Sequence, residues 1–254
     1  MTFFSVTILL GCLSVMAVRG RHGGWPPGMP AARPRLVAVG GTYDGSHGHP
    51  SDAYVIQERL IAVADGQGGT DVAHTAAALA LGAVVAARPQ HGGRRPEDID
   101  ECAQSAHRAV RRAALRTPSK PALVTTMDLL VLDPGETSCL RFAHVGNGVI
   151  WHCPRGGTPR QLTTSHSFDD GPLLRGIGLA STVNPEIGVV PLRPGDRVVV
   201  VTDGVLQALG AHRLTELLAV GASPAACLDR LYDEIAAAAP KEDASVVIAD
   251  FVTA

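Results

Sequence analysis

The sequence lacks any surplus of charge. Its 24 acidic residues against 22 basic ones leave a net charge of −2, which excludes bulk attraction to nucleic acid or to anionic lipid. It holds no basic tail and no acidic solvating segment. Its five cysteines (Cys12, Cys102, Cys139, Cys153, Cys227) form no CxxC pair and no zinc-like spacing. An odd, dispersed set suits a reducing compartment better than a disulfide framework, and Cys102 and Cys139 read as small core side chains. Aromatics are scarce, at 4%. Set against abundant Ala, Gly, Val and Arg, that scarcity is a compositional bias that weakens propensity arguments, so periodicity and turn chemistry carry more weight.

A long apolar run is also missing, with one borderline case. Thr2 to Val18 is uncharged over 17 residues, at the lower edge of a membrane span. Positive charge follows it at Arg19 and Arg21, whereas a secretory signal carries its charge first. As an anchor it would leave the following domain in the cytoplasm. A disordered tail or a start codon set too far upstream are the other readings, and membrane association through 2–18 is not favoured. Gly20 to Pro34 reads as a linker rich in Gly, Pro and Arg. The expected organisation is therefore 1–34 as apolar segment and linker, and 35–254 as one domain, long enough to bury a full core at 46% hydrophobic.

Within that domain, short apolar runs read as strands at Arg35–Gly41, Asp52–Ile56, Arg59–Ala64, Leu123–Leu132, Ser138–Val145, Val149–Cys153, Asp196–Thr202 and Ser245–Val252. Helices are expected over Asp71–Ala87, capped by Thr70 or Asp71, over Glu97–Arg116 behind Pro96, and over Pro224–Ala238. Pro154 to Pro185 is too polar and glycine-rich for a core element. No internal repeat is present, and many strands with two long helices in one block indicate α+β layering. His144 and Trp151 read as packed residues, and His107 with Arg108, Arg111 and Arg112 as a solvated helix face.

Two segments share one construction, an apolar strand ending in Asp-Gly: Leu60 to Asp65-Gly66, and Val198 to Asp203-Gly204. Such an aspartate is partly desolvated yet open on one side, and the glycine lets a backbone carbonyl turn toward whatever the carboxylate holds. Asp243 stands just before the last strand. Carboxylates converging at strand ends repel one another, and a divalent cation with a taste for hard oxygen, Mg²⁺ or Mn²⁺, removes the conflict. Each Asp-Gly alone is also a common turn.

The ordered set of motifs says more. Ser51-Asp52-Ala53-Tyr54, Val63-Ala64-Asp65-Gly66-Gln67-Gly68-Gly69, Val124-Thr125-Thr126-Met127 and Ala143-His144-Val145-Gly146-Asn147 occur in sequence. They are followed by Gln161-Leu162-Thr163 with His166-Ser167, by Leu192-Arg193-Pro194-Gly195-Asp196 leading to Thr202-Asp203-Gly204, and by Glu242-Asp243-Ala244-Ser245. From about Tyr43 to Phe251 the chain resembles the bacterial metal-dependent protein phosphatases of the protein phosphatase 2C type. The resemblance implies a four-layer α-β-β-α sandwich, a central antiparallel β-sandwich flanked by helices. It implies two Mn²⁺ or Mg²⁺ ions held by Asp65, the Gly66 carbonyl, Asp203 and Asp243. Asp52 would orient water, and phosphoserine or phosphothreonine would be hydrolysed without a covalent intermediate. A phosphoprotein substrate and a Ser/Thr kinase counterpart follow as expected partners.

The departures from the pattern define what is in question. His47 stands where the family carries an arginine that grips phosphate, which replaces a bidentate fork with one donor. Asn147 replaces the aspartate that helps bacterial members hold a third, weaker metal, and Val149 replaces the neighbouring arginine. Ala244 stands for the usual Asn, and Gln67 cannot serve as a general acid. A catalytically weak or inactive member that acts as a regulatory binding module is the alternative, and a phosphatase of small metabolites is a third reading.

Overall fold

The computed structural model describes residues 34–68, 71–87, 95–116, 122–133, 138–168 and 171–253. The apolar run 2–18, nearly all of the linker, Gly69, Thr70 and the side chain of Asp71, and with them the expected helix cap, lie outside what is described. Strands β1 (Pro34–Tyr43), β7 (Val149–Cys153), β8 (Arg160–Gln161), β10 (Arg197–Val201) and β11 (Ala244–Thr253) form one sheet in the order β1-β11-β10-β7-β8. Strands β2 (Asp52–Ile56), β3 (Leu60–Gln67), β5 (Met127–Asp133), β6 (Cys139–Val145) and β9 (Glu186–Pro191) form the second in the order β2-β3-β5-β6-β9. The two-residue β4 (Val124–Thr125) pairs with β3. All pairings are antiparallel.

Why the strands read as unbroken apolar runs is visible in β3. Leu60, Ala62 and Ala64 face helices α1 (Asp71–Ala87) and α2 (Pro96–Arg116), while Ile61 and Val63 face the other sheet. Both faces of the strand are buried, so the two-residue period is masked. In β10, Val199 and Val201 pack on helices α3 (Asp203–Ala219) and α4 (Pro224–Ala238), and Val198 and Val200 face inward. The result is the expected four-layer sandwich, helices outside two sheets. Side chains such as Leu130, Leu140 and Phe251 fill the space between the sheets, each contributing roughly 1.5–3 kcal/mol by burial.

Several expectations need correction. Helix α3 was not foreseen, because Gly204 and Gly210 interrupt the signal and Gly210 is non-helical, at φ 71° and ψ 156°. Strand β9 was not foreseen either; it is an edge strand and so tolerates Gly188 and Pro191. The run Leu123–Leu132 is two strands, broken at Thr126, whose N–H turns aside to the Asp65 carbonyl at 2.8 Å. His107 is not on a solvated face. It is 4% exposed, accepts the Gly178 N–H at 3.1 Å and donates to the Ser181 carbonyl, pinning the irregular segment to α2. Cys139 is half-buried, whereas Cys102 is core.

Candidate active site

On the face of β3 turned to the first sheet, the alternation Ile61, Val63 continues to Asp65, where apolar packing ends. Asp52 is its direct partner across the β2–β3 ladder. From the other sheet, β10 runs into Thr202 and Asp203, and β11 is entered through Asp243. Two sheets thus deliver four aspartates to one end of the sandwich. Gly66 has no room for a side chain, since a Cβ there would lie 1.9 Å from the Ala73 carbonyl oxygen. The loop consequently sits flush against the start of α1.

Asp65, Gly66, Asp203 and Asp243 line one cavity of about 260 Å³, together with His47, His49, Gln67, Asn147, Gln207 and Glu242. Asp52 lies behind it, where Thr202 Oγ1 donates to its Oδ2 at 2.9 Å. Asp243 is fixed by the N–H groups of Gly45 (2.9 Å) and Ser51 (2.7 Å). Gln67 Nε2 donates to Asp65 Oδ2 at 2.8 Å. His47, half-exposed, has Nδ1 3.6 Å from Glu242 Oε1, so it sits at the rim with an acidic neighbour.

Burial, then the charges of Asp52 and Asp203, push the Asp65 carboxyl well above the usual carboxylate range. Burial raises Asp52 to about 7, with Asp243 adding to the effect against the hydrogen bonds it accepts. Burial and the charge of Glu242 raise Asp203. Among the described residues, no lysine or arginine lines the cavity to offset these carboxyls. A hard divalent cation is the chemical complement of such a donor set, so Asp65, Asp203, Asp243 and the Gly66 carbonyl fit one.

Other features do not compete. A larger cleft of about 690 Å³ opens at the opposite end of the β10 sheet, around Arg155, Arg197 and Asp250. Its guanidinium at Arg197 is already committed to Asp250 and the Ala222 carbonyl. Among the described residues, His144, His166 and Glu186 bring ligand atoms within 4.8 Å of one another. His144, however, faces an acceptor on each side, Asp128 Oδ1 at 2.7 Å and the Thr164 carbonyl at 3.1 Å. Those acceptors, with the raised pKa of the ring, favour protons on both nitrogens and so oppose its use as a ligand. Gln207 and Glu242 were not singled out from the sequence. Gln207 lies four residues after Asp203 on α3, a signal available only once that helix is recognised.

Similar folds are known. The Mycobacterium tuberculosis serine/threonine phosphatase PstP/Ppp superposes with a TM-score of 0.76 at 20% identity, over 85% of this chain and 98% of that one. The PstP catalytic domain in complex with two manganese ions gives 0.76 at 21%, over 86% and 99%. The phosphatase MsPP of Mycobacterium smegmatis, in complex with cacodylate, gives 0.72 at 23%, over 85% and 98%. No curated protein sequence matches significantly. The family model described as Stage II sporulation protein E (SpoIIE) matches residues 57–252. Most of the described domain falls within that match, and the fold is that of bacterial phosphatases of the protein phosphatase 2C type, so the chain belongs to the SpoIIE family.

Proposed function

We propose that residues 35–254 form a metal-dependent phosphoprotein phosphatase acting on phosphoserine and phosphothreonine in the bacterial cytoplasm, opposite a Ser/Thr kinase. The observation that carries this reading is the set of Asp65, Asp203 and Asp243 on one cavity that, among the described residues, no lysine or arginine lines. Two Mn²⁺ or Mg²⁺ ions bound there would acidify a water for in-line attack on phosphorus and screen the phosphoryl oxygens.

The chain's own residues define the rest. Asp65 and Asp203 would hold the cations from opposite sheets, with Asp243 and the Gly66 carbonyl completing the set. Asp52, buried behind them and fixed by the Thr202 hydroxyl, would orient the attacking water. Among the described residues no cysteine lines the cavity, and the Ser51 hydroxyl is directed to Asp243 Oδ2 at 3.2 Å. Water is therefore the nucleophile this reading uses. His47 at the rim is the group nearest in kind to a phosphate ligand, and its Glu242 neighbour opposes an anion there. That opposition favours the second reading, a binding module of low turnover.

The test is hydrolysis of a generic aryl phosphate by the full chain with and without millimolar Mn²⁺, beside Asp203→Ala. Turnover that requires Mn²⁺ and drops at least a hundredfold in the variant supports the phosphatase. A folded wild-type chain with no turnover at any Mn²⁺ concentration leaves the binding module.

A further inference from the structure

Asp203 is held in an unusual way. Asn147, from the turn between β6 and β7, donates Nδ2 to Asp203 Oδ2 at 2.7 Å. Gln207, one turn further along α3, donates Nε2 to the same Oδ2 at 3.2 Å. Both amides line the cavity. A carboxylate only accepts, so each amide must present its nitrogen, and its orientation is chemically fixed. For Asn147 this leaves Oδ1 buried without a partner. A buried acceptor left unmet is a cost, and the nitrogen end is the compensating interaction. Two donors from different elements, meeting on one oxygen, fix the carboxylate rotamer and keep Oδ2 occupied.

We propose that Gln207 and Asn147 are positioning residues for Asp203: two neutral carboxamides clamp Oδ2 so that Oδ1 is the oxygen presented to a cation. This rests on the reading of the cavity as a cation site. The clamp differs in kind from a carboxylate at position 147. A carboxylate would repel Asp203 unless a further cation lay between them, whereas the amide stabilises it unaided. Gln207 therefore contributes to metal affinity without ligating metal.

The experiment is Mn²⁺ titration by calorimetry on the full chain, comparing wild type, Gln207→Leu, Asn147→Ala, the double variant and Asp203→Ala. Leucine suits the exposed helix position, and metal-free melting curves establish that each variant is folded. Each single change is expected to raise the Mn²⁺ Kd about tenfold, the lower end for groups that orient a ligand. The double variant should raise it by less than the product, because both amides serve one oxygen. Two single variants within twofold of wild type, with Asp203→Ala losing Mn²⁺, would overturn the clamp while leaving the cation site standing. A wild-type chain that binds no Mn²⁺ would remove both.

Discussion

His144 and His166 lie with ring centroids 4.7 Å apart, yet their surroundings push their pKa values in opposite directions. Burial alone would lower His144, but the adjacent Asp128 carboxylate outweighs it and raises the pKa above 6.5. His166 is driven the other way, to about 4, by burial and then by the charges of His144 and Arg175. Its Nδ1 accepts the Gly146 N–H at 3.2 Å, which a neutral ring can do, and Glu186 lies 4.0 Å from its Nε2. Between pH 6.5 and about 4 the unfolded chain protonates His166 and the folded chain does not, so stability falls as pH drops through that window. The contribution of His144 runs oppositely: it is fully present below 6.5 and is lost as pH rises through the folded value. His166→Asn is therefore expected to flatten the fall in Tm between pH 6.5 and 4. Melting curves that stay parallel to wild type across that range would rule this out. That His144 is packed and hydrogen-bonded was readable from its place in a strand pattern. The Asp128 partner, sixteen residues away, was not, since an aspartate inside an apolar run carries no sign of what it faces.

Elements show the same contrast. Helix α1 was readable to the residue because nothing interrupts its small apolar face, and β2 because turn residues bound it on both sides. Helix α3 was hidden, and the reason is its geometry. The first half starts at Asp203 and carries Gln207 to the cavity. After Gly210, the second half buries Leu214, Leu217 and Leu218 on the sheet. A straight helix could not serve both directions, and the break reads locally as a turn. The backbone at Gly210 (φ 71°, ψ 156°) is a region essentially closed to residues with a side chain. Gly210→Ala should cost about 1–3 kcal/mol in denaturant unfolding, although a Cβ there meets no neighbour within 4 Å. An unchanged midpoint would mean the bend comes from packing and not from the glycine.

For the described domain as a whole, the two sheets meet through an apolar interior and, at one end, through four aspartates drawn from both of them. The sandwich was legible from the doubly buried strands and from the resemblance. The two Asp-Gly strand ends located the cavity, while its Glu242 and Gln207 walls depended on loops and on an unread helix. No helix among the described residues is long and apolar enough to cross a membrane. A cation that binds only the folded arrangement adds stability by mass action, about 2.7 kcal/mol at a hundredfold excess over its Kd. Mn²⁺ should accordingly raise Tm with concentration in wild type and leave Asp203→Ala unmoved; equal shifts in both would place the binding elsewhere. The chain order of the aspartates has a further effect. The N–H groups of Ser51 and Asp52 close on Asp243 across more than 190 positions of sequence, and β1 pairs along its whole length with β11. During translation, then, the wall of the cavity that Asp243 supplies, and the partner strand that β1 needs along its whole length, come into place only after the last tenth of the chain has left the ribosome.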